Sequence, residues 1–207
     1  MNKNVHSHAG STEGLIDWDK IIAEINGATN GDNNSVMIAD GDVPIREGRP
    51  FTFFTNDPAP EDDDDLGDCF YDLISIWRNA NYRIQDIIWM DYYPGEHFDI
   101  EIQNQFAKIV NAEPLRVFVS EVRPGVTVPY HWDLEDKEKE WKDLDLVRYV
   151  CFMQEQQPGH FLMVDEHCFY NEKKHSIYQW KHRKNWHAAA NSGFETYYLF
   201  HFLGYKK

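Results

Sequence analysis

The stretch LRVFVSEV at residues 115–122 opens the part of the chain that decides the fold. Its β-branched and aromatic residues predict a strand, and Pro124-Gly125 predicts a turn directly after it. Four further strand-like runs follow, at residues 146–153, 160–170, 176–180 and 195–203. No helical pattern separates these runs, which favours an antiparallel sandwich or barrel. We therefore expect a mainly β core in the C-terminal half.

The N-terminal half has a different pattern. Apolar residues spaced three and four apart predict short amphipathic helices, at residues 15–25, 70–77 and 98–110. Strand-like segments are short and fewer, at residues 51–54 and 84–93. Residues 1–14 have almost nothing to bury, so a frayed terminus is expected. We predict a helical N-terminal extension over residues 1–113 that packs on a core over residues 114–207, as one compact unit.

The composition restricts the classes of function. The 207 residues include 20 Lys and Arg against 35 Asp and Glu, which gives a net charge of −15. A surface this negative repels phosphate backbones and anionic lipids, so general nucleic-acid or membrane-surface binding is disfavoured. No stretch approaches the ~20 apolar residues of a membrane span, and no apolar segment of a secretory signal is visible. Three scattered cysteines fit a reducing compartment, so we expect a cytoplasmic protein.

The sharpest candidate site lies at His131-Trp132-Asp133, shortly after the predicted strand and turn. Residues i and i+2 of an extended chain project to one face, with Cα atoms roughly 6–7 Å apart. An imidazole nitrogen and a carboxylate oxygen from this short segment would then meet at one cation. A third ligand from a distant strand would complete a 2-His-1-carboxylate face and leave the opposite positions open, which suits non-haem Fe(II).

A second histidine must provide the third ligand, and His187 is the preferred candidate. Three alanines follow it and leave space beside the imidazole, and Asn191-Ser-Gly193 then predicts a turn into the last strand. The rival candidates are His160, His167, His175 and His182. A second His-x-Asp, at residues 97–99, opens a predicted helix, where positions i and i+2 point about 200° apart and cannot easily share a metal.

One charged residue interrupts the most apolar strand-like run. Arg148 has the same strand phase as Leu146, Val150 and Phe152, so it is buried if that face is buried. A buried guanidinium requires an anion. Two interpretations stay open. In the first, Arg148 forms a structural salt bridge or lies at an exposed edge position. In the second, its guanidinium fork binds the carboxylate of a ligand through two hydrogen bonds.

Residues 119–204 resemble the double-stranded β-helix core of the Fe(II)/2-oxoglutarate-dependent oxygenases, and are closest to the aspartyl/asparaginyl β-hydroxylase-like group. The resemblance rests on the strand with Pro124-Gly125, His131-x-Asp133, the strand around Arg148, and His187 followed by Asn191-x-Gly193. It implies a jelly-roll, cupin-like core with flanking helices that binds Fe(II) through His131, Asp133 and His187. It also implies 2-oxoglutarate as co-substrate, which is oxidised to succinate and carbon dioxide while a substrate C–H bond is hydroxylated.

The chain departs from the common family pattern where 2-oxoglutarate is anchored. Many members carry an Arg or Lys shortly after the distal histidine, whereas Thr196, Tyr197 and Tyr198 occupy that region here. The resemblance then implies Arg148 as the basic anchor, as in branches that carry it on the strand after His-x-Asp. Thr196 or Tyr197 would add a hydroxyl group to the same carboxylate, and Asn191 would join this cofactor-binding set.

No run of the sequence specifies the substrate, which would be a protein side chain or a small molecule. Tyr130 and Trp132 flank the candidate ligands and would line the substrate mouth. Two other functions fit the same residues. One is a cupin-type protein that binds Zn or Mn for non-oxidative chemistry, and the other is a non-catalytic acidic binding module.

Overall fold

The computed structural model describes residues 6–30, 51–52, 88–92, 100–131, 141, 143–181 and 185–206. Within these ranges the strands are β1 (His6–Ser11), β2 (Phe51–Thr52), β3 (Ile88–Tyr92), β4 (Glu113–Val122), β5 (Thr127–His131), β6 (Leu146–Phe152), β7 (His160–Val164), β8 (His167–Phe169), β9 (Ser176–Lys181), β10 (His187–Asn191) and β11 (Tyr197–Tyr205). The helices are α1 (Trp18–Asn30) and α2 (Ile100–Val110). None of the helices described is long and apolar enough to cross a membrane.

The strands form two antiparallel sheets. The larger sheet has the order β1-β9-β6-β11-β4-β3-β2, and the smaller sheet has the order β5-β10-β7-β8. From β4 onwards the chain passes repeatedly from one sheet to the other, and only the β7–β8 hairpin stays within a sheet. This strand order is that of a jelly roll, or double-stranded β-helix. It confirms the predicted fold class.

An apolar core fills the space between the two sheets. Alternation along β6 directs Val150 and Phe152 into this space, whereas Tyr149 and Cys151 face the other side of the larger sheet. The smaller sheet contributes inward residues of its own, such as Leu162 and Ala189. Because β6 is buried on both faces, its sequence is a continuous apolar run with a single charge, at Arg148.

The two helices cover the outer face of the larger sheet. The Trp18 ring of α1 lies 5.1 Å from that of Phe200, and the Phe106 ring of α2 lies 4.8 Å from the same ring. All three side chains are fully buried. The apolar spacing that predicted helices at residues 15–25 and 98–110 therefore reflects this packing, while the helix predicted at residues 70–77 lies outside the described residues.

The N-terminal half contributes strands as well as helices. β1 pairs with β9, β2 with β3 and β3 with β4, so residues before position 114 extend the larger sheet at both of its edges. Residues 6–11 are therefore paired and not frayed. Their side chains are polar and show no alternating apolar pattern, so the sequence did not predict a strand. Backbone hydrogen bonds to β9 hold the segment, together with the edge-on contact of the His8 and Tyr178 rings at 5.5 Å.

The run at residues 160–170 also differs from the prediction of one strand. It forms the β7–β8 hairpin, in which Val164 pairs with His167. Asp165 lies at the turn with a left-handed φ of 50°, a conformation that Asp adopts more readily than most residues. The apolar residues on both sides of this turn hid it from the sequence pattern.

Candidate metal centre

The two preferred histidines lie opposite one another in the smaller sheet. β5 pairs antiparallel with β10, and His131 is the register partner of His187. The register then shifts, because the next partners are Val128 and Ala189. Three steps along β5 thus correspond to two steps along β10, which is a β-bulge. The bulge brings His131, and not Tyr130, opposite His187.

The side chains beside this pair define the inner face. His187 is buried, and its ring centroid lies 5.6 Å from that of Trp180 in the inter-sheet core. Tyr130 and Trp186 stack on each other at 5.5 Å, and each is 42% exposed. Since neighbours along a strand alternate between faces, the aromatic pair lies outside and His187 inside. Directly opposite residues of an antiparallel pair share one face, so the backbone assigns position 131 to the inner face too.

The predicted carboxylate ligand, Asp133, lies outside the described residues. Within the part of the chain that the structure describes, no three His, Cys, Asp or Glu side chains form a metal-binding group. The set of His131, Asp133 and His187 therefore stays a prediction. What the structure contributes is the register of its two histidines and the burial of His187.

Two rival histidines lie in the same sheet but in other environments. His160 uses both ring nitrogens: Nδ1 accepts a hydrogen bond from the N–H of Gln157 at 3.2 Å, and Nε2 donates to the carbonyl of Glu195 at 2.6 Å. His167 is level with His187, but β7 separates the two strands, a span of about 9.5 Å. Neither is placed as well opposite His131 as His187 is.

The remaining histidine candidates are remote or outside the described residues. Nδ1 of His175 lies 3.0 Å from Oγ1 of Thr12, which also accepts a hydrogen bond from Nε1 of Trp18 at 2.7 Å. This contact is on the helix-covered side of the larger sheet, away from the inter-sheet space. His182 and the second motif, at residues 97–99, fall outside the described ranges.

Arg148 lies on the inner face of the larger sheet, the face it shares with Val150 and Phe152. It is 1% exposed, and its register partners are Trp180 and Leu203. The centre of its guanidinium group lies 5.1 Å from the ring centroid of Phe118. Trp180 adjoins Arg148 within the sheet and contacts His187 across the core. We call this end of the inter-sheet space, with His131, His187, Arg148 and Trp180, the ligand end.

The other predicted cofactor residues have structural partners. Asn191 is buried, and its Nδ2 donates hydrogen bonds to the carbonyls of Val122 at 2.9 Å and Glu195 at 2.8 Å. Its Oδ1 accepts a hydrogen bond from the N–H of Gly193 at 2.9 Å. The hydroxyl of Tyr197 donates to the carbonyl of Phe161 at 2.7 Å, and burial raises the pKa of this phenol.

These residues lie far from the ligand end along their strands. Asn191 is four residues beyond His187 on β10, or about 13 Å. Tyr197 is six residues from Leu203, the partner of Arg148, or about 20 Å. The structure therefore corrects the prediction that Thr196 or Tyr197 shares a carboxylate with Arg148. We call the region of Asn191, His160 and Tyr197 the closed end.

Asp165 and Asn185 lie beside the ligand end, and the sequence pattern did not indicate either of them. The carboxylate of Asp165 accepts hydrogen bonds from Nδ2 of Asn185 at 2.6 Å and from the N–H of Trp186 at 2.9 Å. The signal for Asp165 was an acidic residue between two apolar segments, which is typical of a turn. Asn185 gave no signal, since its role depends on a turn that is 20 residues away in the sequence.

No family model matches this chain, and no curated protein matches it in sequence. Solved structures do match it. The protein AviO1 from Streptomyces viridochromogenes aligns over 99% of this chain and 90% of its own length, with 10% identity and a TM-score of 0.51. This similarity supports the double-stranded β-helix derived from the strand order. At 10% identity it shows the fold alone.

Shorter matches come from proteins of two kinds. A viral collagen prolyl hydroxylase from Paramecium bursaria Chlorella virus-1, solved as a 2-oxoglutarate complex, covers 68% of this chain and 91% of its own, with 18% identity and a TM-score of 0.41. The cupin domain of Schizosaccharomyces pombe Cnp3 covers 59% of this chain, with 14% identity and a TM-score of 0.38. This chain spans 66% of the length of that cupin chain. Neither similarity decides the chemistry of this chain.

Proposed function

We propose that this protein is an Fe(II)- and 2-oxoglutarate-dependent oxygenase that hydroxylates a substrate C–H bond. The observation that carries the proposal is the cross-strand register of His131 with His187, set by a β-bulge at one end of the double-stranded β-helix. Bulges are enriched next to active sites, where they redirect a side chain. With Asp133 two residues further on, the pair makes the donor set that suits non-haem Fe(II).

The residues around His187 fit a metal ligand. Its imidazole is buried on the inner face, and Trp180 packs against one side of the ring. The next inward residue of β10 is Ala189, whose small side chain occupies little of the space beside the imidazole. His131, Asp133 and His187 would hold the iron, which would provide oxygen activation when bound.

Arg148 would bind the far carboxylate of 2-oxoglutarate. The guanidinium fork matches a carboxylate with two parallel hydrogen bonds, and Phe118 supports it through a cation–π contact. Apolar neighbours such as Val150 and Trp180 exclude water from this space. An ion pair is stronger in such surroundings than at the surface, which favours Arg148 as the anchor of the co-substrate.

The exposed pair of Tyr130 and Trp186 would form part of the rim of the substrate mouth. Burial raises the pKa of the Tyr130 hydroxyl, and the carboxylates of Asp165 and Glu166 raise it further. The rim therefore carries a neutral phenol beside negative charge. This arrangement favours a neutral or cationic substrate group, on a protein side chain or a small molecule, over an anionic one.

The test is anaerobic addition of Fe(II) and then 2-oxoglutarate to the full chain, followed by a succinate assay in air. A weak visible charge-transfer band and succinate formation are expected, and both should be absent in His131→Ala. Metal binding without a band or succinate would instead support a cupin-type protein with non-oxidative chemistry. If His131→Ala changes neither metal content nor partner binding, the chain is a non-catalytic binding module.

A further inference from the structure

The β7–β8 turn is bonded to the two residues that precede His187. The N–H of Asp165 donates to the carbonyl of Trp186 at 2.6 Å, and its Oδ1 accepts from the N–H of Trp186 at 2.9 Å. Its Oδ2 accepts from Nδ2 of Asn185 at 2.6 Å. Val164 and His187 are the neighbouring partners in the sheet. Asp165 thus continues the β7–β10 pairing one residue beyond the strands and adds a side-chain contact.

Asn185 connects this turn to the imidazole of His187. Asn185 is buried, and its carbonyl oxygen lies 3.4 Å from Nδ1 of His187. A carbonyl oxygen only accepts hydrogen bonds, so this contact requires a proton on Nδ1. In a neutral imidazole the other nitrogen, Nε2, then carries the lone pair that a metal ion needs.

We propose that Asp165 and Asn185 are positioning residues, which fix the ring orientation and the tautomer of His187 so that Nε2 faces the metal position. Metal-binding histidines generally donate their other ring N–H to a carboxylate or a carbonyl, and these outer partners raise metal affinity. Here the partner of His187 is the carbonyl of Asn185, and the carboxylate of Asp165 in the β7–β8 turn holds the Asn185 side chain. The inference rests on the proposed function, in which His187 is a metal ligand.

The first test determines the tautomer of the His187 imidazole in the absence of metal. Nitrogen-15 correlation spectra of the metal-free full chain report which ring nitrogen of His187 carries the proton. The parent should show the Nδ1–H tautomer, and Asp165→Ala should show a mixture, because Asn185 is released. A parent in the Nε2–H tautomer, or an unchanged spectrum in Asp165→Ala, would overturn the inference.

The second test uses Co(II) as a spectroscopic substitute for Fe(II). Asp165→Ala should weaken Co(II) binding by about 10- to 100-fold, the usual effect of losing an outer partner of a ligand. Glu166→Ala is the matched control, because it removes an exposed carboxylate of the same turn and should leave Co(II) binding unchanged. An equal loss in both variants would mean that charge, and not position, sets the affinity, and would overturn the inference.

The third test exchanges the two hydrogen-bonding side chains. Asn185→Asp sets two carboxylates against each other and should lose Co(II) affinity. Asp165→Asn should lose less, because the Asn185 amide can rotate so that its oxygen accepts from the new amide nitrogen. In the double exchange, the new amide at position 165 donates to the carboxylate at position 185 and still accepts from the N–H of Trp186. Most of the affinity lost in Asn185→Asp should return, and a double variant no better than Asn185→Asp would contradict the mechanism.

The metal centre and the positioning role can be refuted independently. A parent that binds no Co(II) but shows the Nδ1–H tautomer, lost in Asp165→Ala, would refute the metal centre and keep the positioning role. A parent that binds Co(II) as tightly as all the Asp165 variants would refute the positioning role and keep the metal centre. Thermal unfolding of each variant identifies any that fails to fold, in which case Asn185→Asp replaces Asp165→Ala.

Discussion

The ligand end and the closed end of the inter-sheet space both bury polar side chains, for opposite reasons. At the closed end, the amide of Asn191 has three hydrogen bonds, all to backbone groups, and both ring nitrogens of His160 are hydrogen-bonded as well. At the ligand end, β10 sets His187 opposite His131, and β6 directs Arg148 inward. One strand therefore carries a structural polar residue at one terminus and a proposed ligand at the other.

At the closed end, the backbone at Gly159 lies against the backbone at Gly193. Gly159 has a left-handed φ of 97°, and a Cβ atom there would lie 2.3 Å from the backbone nitrogen of Gly193. Only glycine fits both the conformation and the contact. Burial of a polar residue therefore does not identify a site, because hydrogen bonds to backbone groups stabilise the fold whereas a convergence of basic groups suits a ligand.

Removal of a proposed metal ligand should have the largest effect on Fe(II) affinity, and it should leave the closed end unchanged. Asp133→Ala or His187→Ala should lower Fe(II) affinity by more than the roughly 100-fold upper effect of an outer partner. Anaerobic calorimetric titration gives the affinity. The control is His167→Ala, which removes a histidine level with His187 but separated from it by β7. Parent-like Fe(II) affinity in Asp133→Ala would contradict the ligand set.

Loss of the buried arginine should have the next largest effect. Arg148→Ala should raise the dissociation constant for 2-oxoglutarate by a factor that corresponds to about 2–5 kcal/mol, the cost of truncating one partner of a buried charge pair. Arg148→Lys should recover only part of it, because an ammonium cannot make two parallel bonds. Titration of 2-oxoglutarate into the Fe(II) protein measures both variants.

Two controls separate anchoring from packing. Arg116→Ala removes a guanidinium whose centre lies 5.3 Å from the centroid of the same Phe118 ring, and Tyr197→Phe removes a hydroxyl at the closed end. Both should bind 2-oxoglutarate like the parent. Normal binding in Arg148→Ala together with a lower melting temperature would show a structural ion pair.

Truncation at the closed end should lower stability without affecting the ligand end. Asn191→Ala leaves the carbonyl of Val122 and the N–H of Gly193 without their side-chain partner and leaves the Glu195 carbonyl with the bond from His160 alone, at a cost of about 3 kcal/mol in the free energy of unfolding. Denaturant unfolding measures this loss, and Fe(II) affinity should stay unchanged. Ser192→Ala, which removes an exposed hydroxyl, should cost little. A stable Asn191→Ala protein with weak 2-oxoglutarate binding would place Asn191 in the cofactor site after all.

Much of the fold could be predicted, because β-branched and aromatic runs mark β4, β6, β9 and β11 directly. β1 could not, since its polar side chains carry no periodic apolar signal and its pairing depends on an edge strand, β9, that is remote in the sequence. The hairpin at β7 and β8 was hidden for the opposite reason, because apolar residues continue on both sides of Asp165.

The site was predictable in its ligand types but not in its layout. The spacing of His131 and Asp133 and the small residues after His187 nominate the ligands, whereas the β-bulge that sets His131 opposite His187 follows from pairing geometry. Tyr197 is close to His187 in sequence, but β10 runs from the ligand end to the closed end before the chain turns. The next strand therefore begins at the wrong end to reach Arg148.

The smallest expected effect is a pH dependence that arises at the closed end. Burial lowers the pKa of His160 below its ordinary value of 6.5, although its hydrogen bond to the Glu195 carbonyl acts in the opposite direction. As the pH falls below about 6.5, the unfolded chain takes up a proton that the folded chain does not, so the folded state loses stability. The contribution of the neutral imidazole is fully present above that pH.

His160→Gln should therefore unfold more easily at pH 7.5 but lose less further stability between pH 7.5 and 5. Denaturant unfolding at several pH values measures the slope. His175 also has a lowered pKa, from burial and from the charge of Lys174, so His175→Ala should remove a separate share of the same slope. Because neither residue lies at the ligand end, Fe(II) affinity at pH 7.5 should match the parent in both variants. A slope unchanged in His160→Gln would mean that the closed end tolerates a charged imidazole, and the contrast between the two ends would then rest on hydrogen bonds alone.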